Sequence, residues 1–545
     1  MLYRSWKKSG REKEKSGAAV DEIRVESGIW DLGAAAALQP QRQSQGAFIR
    51  PVDEDPRAAA IKEVFRFSWD SYEKYAFPHD TLRPVEQSYE NDRNGWGATA
   101  VDGLSTAIIM SEPEIVTKIL QHIAKTDFTR TIIDDQPISV FETTIRYLGG
   151  LISAYDLLSG PFQHLVKDKH LTQLLLVKAQ SLADSLSIAF DTPSGVPDDE
   201  IVFNPVRRRL GNPDNSITCT GTLVLEWTRL SDLTGNTTYA TLAQKGQSHL
   251  LDPKPEGFRL PGLVGSYVRL SDGEFEDYQA GWGGGSDSYY EYLIKMFAYD
   301  PVEFAEYGRS WILAAESSMR YLASHPTSRP ELTFLGEFRG NSTVPMSSHS
   351  VASVCGGSFI YGGLLLQNQT LIDFGLELAR SYYDVYRNSP TGIGPETFRW
   401  VDHHQPLTKP ATNRKPSRKW QSFYEQSGYW PTNGEHILRP ETIESLYYAY
   451  RATGDEKWRI WAWEAFEAVN EMTRVPGGFS GLHDVMRKEK ADGDRVDKME
   501  SFWLAETPKY LYLIFSDDAE YQMKSDGRMK YVLNTEAHPF KIRHF

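Results

Sequence analysis

Cysteine is nearly absent: only Cys219 and Cys355 occur in 545 residues. That excludes a disulfide-stapled scaffold and a cysteine-based zinc cluster, and it leaves open whether the two thiols pair. No apolar run is long enough to span a bilayer, so no transmembrane segment is expected. Strand signals are scarce before the C-terminus. Positive charge is in deficit, with a net charge of -14. This argues against nucleic acid or an anionic membrane as partner and is compatible with a cation site. Residues 1–15 are basic and polar and lack the apolar centre of a signal peptide. Against that, Asn236-Thr237-Thr238, Asn341-Ser342-Thr343 and Asn368-Gln369-Thr370 match the N-glycosylation acceptor pattern.

What is present is aromatic and helical. The chain is 40% hydrophobic and 12% aromatic, with 14 Trp and 28 Tyr. Ring faces suit sugar C–H surfaces, and they also fill cores. Residues 1–55 read as a disordered tail rich in Lys, Arg, Gly, Ser and then Gln. Residues 56–545 read as one domain. Helical spacing predicts helices over 58–75, 104–123, 141–158, 171–190, 221–233, 288–297, 302–322, 371–386, 441–452, 458–472 and 502–515. Residues 530–533 and 538–542, around Asn534-Thr535-Glu536-Ala537, read as a hairpin. The prediction is an all-α domain of helix pairs closed by a small β element. Helix pairs in a ring enclose a cavity with helix starts at one end.

The organising stretch is Leu438-Arg439-Pro440-Glu441-Thr442-Ile443-Glu444-Ser445. Pro440 fits the first helical position. Glu441 and Glu444 then fall in the first turn, on nearly one face and beside Arg439. Gly454 suits the C-cap. Taken alone, this is equally a capped surface helix. Four more segments repeat the theme: Glu142 with Arg146, Asp287 with Glu291 after a glycine loop, Glu500 to Glu506 with Phe502 and Trp503, and Asn534-Thr535-Glu536 at the hairpin tip. One such pair is more often an ordinary surface salt bridge. Five of them, each beside core-type aromatics, point to a cavity lined with carboxylates. Glycoside hydrolysis uses two carboxyl groups, one to protonate the leaving oxygen and one to activate water or attack. Hard oxygen ligands suit calcium.

With these motifs the chain resembles the family 47 glycoside hydrolases, the class I α-1,2-mannosidases, from about Phe65 to the C-terminus. The wording is closest to fungal secreted members. Further matching blocks are Ala76–Asp80, Phe141–Tyr155, Asp287–Lys295, Pro395-Glu396, Glu500–Tyr510 and Asn534–Pro539. The resemblance implies an (α/α)7 barrel whose C-terminal hairpin plugs one end, and an inverting, calcium-dependent hydrolase trimming α-1,2-mannose from high-mannose N-glycans. It implies Glu142 as general acid, directly or through water, Glu441 as base, and Asp287 as a third essential carboxylate sharing the acid role. Thr535 would bind calcium, and Glu291, Glu444, Glu506 and Glu536 would hold its waters. Arg146 and Arg439 would bind the sugar or orient the acids, Phe502 would stack on mannose, and Asp80 belongs with the substrate-binding group. A monomer in the secretory pathway or secreted is expected.

The sequence departs from the family at Cys219, where a Glu is usual, at Ser105, at Pro508, and around His349, displaced by one. Ser353 and Tyr382 occupy the positions of the usual disulfide. A proline inside a helix should kink it. The alternative reading is a mannose-binding quality-control protein with weak or no hydrolysis.

Overall fold

Apolar periodicity decides the layers. The computed structural model describes residues 55–255, 260–338, 347–402, 414–488 and 493–543. Of the tail expected over 1–55, residues 1–54 lie outside them, as does the Asn341 tripeptide; Asp55 is ordered as the N-cap of the first helix. Outer helices bury one stripe, as in α3 (Pro113–Lys125), where Ile115, Val116, Ile119, Leu120 and Ile123 face inward. Inner helices are buried all round, as in α8 (Asp287–Tyr299), where every residue from Ser288 to Tyr299 is buried.

Among the described residues the helices pair in seven couples. The first joins the chain ends, α1 (Pro56–Tyr75) packing on α14 (Thr507–Phe515). The others are α2 (Ala98–Ile109) with α3, α4 (Gly149–Ser159) with α5 (Lys169–Leu186), and α6 (Val224–Thr234) with α7 (Thr238–Leu251). Next come α8 with α9 (Ala305–Ser317), α10 (Val354–Leu365) with α11 (Gln369–Asn388), and α12 (Glu441–Thr453) with α13 (Glu456–Thr473). The inner helices touch in the order α2, α4, α6, α8, α10, α12, α14. The turn Ser501–Ala505 before α14 packs back on α2 and closes the ring. This is an (α/α)7 barrel.

The two ends differ. Inner-to-outer links such as Met110–Glu112, Gly235–Thr237 and Gly454-Asp455 are short, and Gly454 takes the left-handed C-cap expected of it, φ 65°. Outer-to-inner links are long and carry small sheets that precede the inner helix starts. One is β1 (Pro137–Ser139), β2 (Glu200–Val202) and β3 (Arg208–Arg209). Another is β4 (Ser347–His349), β5 (Thr397–Arg399) and β6 (Trp430–Asn433). These form the mouth. From the other end the hairpin of β7 (Tyr531–Leu533) and β8 (Pro539–Lys541) rises inside the ring. The Ser153 hydroxyl donates to the Pro539 carbonyl at 3.0 Å, and Asn534 at the tip reaches the Ile145 carbonyl at 3.1 Å.

Several predicted helices are corrected. The segment predicted over 104–123 breaks at Ser111, φ 56°, because Pro113 must start a new helix. That over 141–158 contains a π-helical turn, Thr143–Leu148, which carries Arg146. That over 502–515 breaks at Glu506. Pro508 therefore lies in the first turn of α14, where it costs no hydrogen bond, and the predicted kink inside a helix does not arise. Helices α7 and α10 were not predicted. A Cβ on Gly362 of α10 would lie 2.2 Å from the Trp311 ring, so the helix pair needs that glycine to approach. The mouth strands were missed because two to four residues show no usable period.

Candidate active site

β1 delivers the first acid. It ends at Ser139, whose hydroxyl caps the next helix by accepting the Glu142 N–H at 3.1 Å. Ser139 donates to Asp199 at 3.2 Å, and Asp199 also accepts the Phe141 N–H at 3.0 Å. Arg146 Nε then donates to Glu142 at 2.8 Å, while its Nη1 donates to Glu536 at 2.6 Å and Asp102 at 3.2 Å. Arg93 lies 3.8 Å from the other Glu142 oxygen. Burial pushes the Glu142 carboxyl up, but Arg93 and Arg146 outweigh it and hold the group at about 2. Arg146, expected on the sugar or the acids, is taken up by acids.

Asp287 opens α8 and accepts the Thr218 hydroxyl at 3.3 Å. Burial raises its carboxyl to about 6, with Glu291 adding to the rise and Arg439 opposing it. Glu441 opens α12. Pro440 is therefore the N-cap and not the first helical residue as predicted. Arg439 Nε is shared by the two Glu396 oxygens at 2.9 and 2.8 Å, and its Nη1 lies 3.5 Å from Glu441. Burial raises Glu441 to about 7; Arg439 pulls down, while Glu396 and Asp287 push up. One Glu441 oxygen, Oε2, is buried without a hydrogen-bond partner among the described residues. Each acid thus feels the other's surroundings, as groups facing one cavity do.

Four more carboxylates crowd the hairpin tip. Asn534 Oδ1 accepts the Glu536 and His538 N–H groups at 2.9 and 2.8 Å and shapes the turn, in which Thr535 is half-buried. Glu444 accepts the Tyr510 hydroxyl at 2.8 Å. Glu291 pairs with Lys295, which also donates to the Asn534 carbonyl at 3.1 Å. Burial, then the charge of Glu291, pushes Glu444 to about 8. Burial and the neighbouring charges of Glu536 and Glu444 push Glu506 well up, and burial does the same to Glu536 despite Arg146.

This donor set can be tested against a metal ion. Among the described residues no three His, Cys, Asp or Glu side chains converge as direct ligands. What gathers at the hairpin tip is Thr535, the paired acids Glu291 and Glu536, and Glu444 and Glu506, whose carboxyls are pushed toward the neutral form by burial and by their neighbours' charge. Such a set fits a hard divalent cation of calcium type, held by a threonine and waters rather than by a carboxylate cage.

Phe502 is buried with the Arg146 guanidinium 5.8 Å from its ring centre. Asp80, placed by the resemblance with the substrate-binding group, is fully buried, and its oxygens accept backbone N–H groups of Arg93, Gly95, Gly97 and Ala98 at 2.6–3.1 Å. It fixes the loop that presents Arg93 to Glu142. The residues that sequence reasoning missed are partners of the acids: Glu396, Asp199, Arg93, and Asp102 with His538. Of these, Glu396 and His538 stood inside matching blocks.

The departures are accommodated. Both cysteines are buried, and neither is in a disulfide among the described residues. Ser353 donates to the Ser350 carbonyl and Tyr382 meets the Ser348 hydroxyl, each at 2.7 Å. Ser105 bridges His538 and Lys509 at 2.9 Å each.

Comparison with known proteins follows the same lines. The chain matches the family model "Glycosyl hydrolase family 47" over residues 64–542. It is 50% identical over 491 residues to the probable mannosyl-oligosaccharide alpha-1,2-mannosidase 1B of Aspergillus niger, covering 89% of this chain and 91% of that one. It is 46% identical over 493 residues to the mannosyl-oligosaccharide alpha-1,2-mannosidase of Penicillium citrinum, covering 90% and 93%. Among solved structures, alpha-1,2-mannosidase from Trichoderma reesei superposes with a TM-score of 0.87 at 50% identity, covering 90% of this chain and 100% of that one.

Proposed function

The chain belongs to glycosyl hydrolase family 47 and is a glycoside hydrolase, and we propose that it removes terminal α-1,2-mannose from high-mannose N-glycans by an inverting, calcium-dependent mechanism. The observation that supports this reading is that inner helix starts on the mouth end present Glu142, clamped by Arg93 and Arg146, Asp287, and Glu441 beside the Glu396-held Arg439.

Glu441 accepts a proton from a water molecule, the water oxygen bonds to the sugar C1, and the C1–O glycosidic bond breaks. The leaving oxygen takes its proton from the Glu142–Asp287 pair. Between two arginines Glu142 is ionised at rest, so Asp287 supplies the proton through Glu142 and water, and the reactive form is the fraction of molecules with Asp287 protonated and Glu441 ionised. Attack opposite the leaving group inverts the centre and releases β-mannose. Arg439, fixed by Glu396, aims Glu441. Arg146 ties Glu142 to the hairpin tip. Thr535 would hold calcium, with Glu291, Glu444, Glu506 and Glu536 holding its waters. When bound, the ion supplies charge that keeps these carboxylates ionised and a template for sugar hydroxyls.

A secretory route is proposed with this activity. Asn236 is exposed in the turn between α6 and α7, as an acceptor should be, and among the described residues no helix is long and apolar enough to cross a membrane. The test is incubation with a high-mannose oligosaccharide and calcium, with and without chelator, following the anomer of released mannose. Release of β-mannose that stops with chelator is expected. Calcium-dependent binding without release, or release of α-mannose, overturns the reading.

A further inference from the structure

Residues 414–419, Arg-Lys-Pro-Ser-Arg-Lys, carry four cations and no acid in a chain of net charge -14. Arg414, Lys415, Arg418 and Lys419 are all exposed. Among the described residues none of the four pairs with a carboxylate; Lys419 lies over the Trp420 ring at 4.5 Å. Glu425, the next acid along the chain, accepts from Gln421 instead, at 2.7 Å. Like charges gathered this way give the fold nothing, because an unpaired exposed cation repels its neighbours and buries no surface.

The position is informative. The segment lies in the connection between β5 and β6, on the mouth end where the long links gather. The inner end of β5 follows Glu396, which grips Arg439. The outer end is anchored: Tyr424, just past the cations, meets Thr327 at 2.6 Å and accepts the Val401 N–H at 3.3 Å. The cations are therefore held on the same end of the barrel as the cavity opening.

We propose that Arg414, Lys415, Arg418 and Lys419 form a docking surface for an acidic stretch of the polypeptide that carries the glycan, while the glycan enters the cavity. This rests on the function proposed above. A neutral oligosaccharide offers no charge for four cations to meet. An acidic polypeptide does, and complementary charge acts chiefly on the rate of encounter. The surface then separates two substrates with the same sugar: the glycan on an acidic protein and the glycan alone.

The experiment compares the full chain with R414E/K415E/R418E/K419E in calcium, on an acidic high-mannose glycoprotein and on the oligosaccharide released from it. The expected result is a fall of about ten-fold in kcat/KM on the glycoprotein at low salt. The gap closes as salt is raised, because exposed charges are screened. The rate on the free oligosaccharide is unchanged, which also shows that the variant is folded. An equal loss on both substrates, or none on either, overturns the proposal. So does loss of binding to anionic phospholipid vesicles with unchanged glycoprotein kinetics, which assigns the surface to membranes. If the wild type fails on the free oligosaccharide, the hydrolase reading falls. The docking surface is then judged separately, by binding of the deglycosylated acidic protein to wild type but not to the variant.

Discussion

Glu396→Ala tests how the base is aimed. Glu396 holds Arg439 through both oxygens, and the side chains are 5% and 15% exposed. Removing one partner of a buried ion pair costs about 3–5 kcal/mol. Here Arg439 retains Glu441 at 3.5 Å as a second partner, so a loss near the lower bound, about 3 kcal/mol, is expected. The same change reaches the chemistry. At 3.5 Å, an ion pair is worth about 5 kcal/mol gross at an effective dielectric of about 20. At present Glu396 takes most of the guanidinium and adds its own repulsion to Glu441. With Glu396 gone, a gain of only about 1.4 kcal/mol for ionised Glu441 moves its carboxyl down by about one pH unit. Glu441 stands near 7 in the intact protein, and a base works when ionised, so the acidic limb of kcat/KM moves to lower pH. Urea unfolding followed by tryptophan fluorescence, and pH–rate profiles on a high-mannose oligosaccharide at fixed calcium, read the two effects. Unchanged stability, or a limb that stays or rises, refutes the reasoning.

Glu441→Gln should lower kcat by at least about 100-fold, the ordinary contribution of a general base, and leave sugar binding measurable by calorimetry; wild-type turnover would refute the base assignment. In the chelated protein Glu441 lies near 7 and Glu444 and Glu226 near 8, above the ordinary 4.5. The folded state then keeps protons that the unfolded chain gives up, so stability is highest near the ordinary carboxylate range and falls as pH rises through 7 and 8. Scanning calorimetry should show Tm falling over that window with chelator and the fall relieved by calcium; a Tm that rises without metal contradicts the site. Asp199→Ala strips acceptors from the Phe141 N–H and the Ser139 hydroxyl, a loss of about 1–3 kcal/mol. It should lower kcat more than it raises KM, because it loosens only the start of the Glu142 helix; an equal or larger effect on KM would place Asp199 in substrate binding instead.

The fold was legible where a helix had one apolar stripe or one continuous apolar face. It was illegible where close approach replaced periodicity. Val354–Leu365 was not predicted as a helix because nothing in its own composition shows that Trp311 lies against Gly362. The mouth sheets were invisible for a different reason. Strands as short as Arg208–Arg209 have no period to detect, and their pairing is decided by the helices that bring them together.

The site divides along the same line. Glu142, Asp287 and Glu441 are legible because each opens an inner helix, where a local rule already favours an acid. Their protonation is not, because it is set by partners remote in sequence. Glu142 resembles Glu441 locally, yet Arg93 and Arg146 hold it near 2, while Glu441 shares Arg439 with Glu396 and stays near 7. Asp80 shows the converse, a residue whose surroundings the motif did not reveal. A matching block suggested a sugar contact, but four backbone N–H groups consume its oxygens, and its influence reaches Glu142 only through the loop that carries Arg93. The identity of an acid is thus a local fact, and its role is a property of the barrel. Two carboxylates can exchange roles through their arginines alone, which is why Glu396, and not another acid, is the residue whose loss should shift the pH dependence of the base.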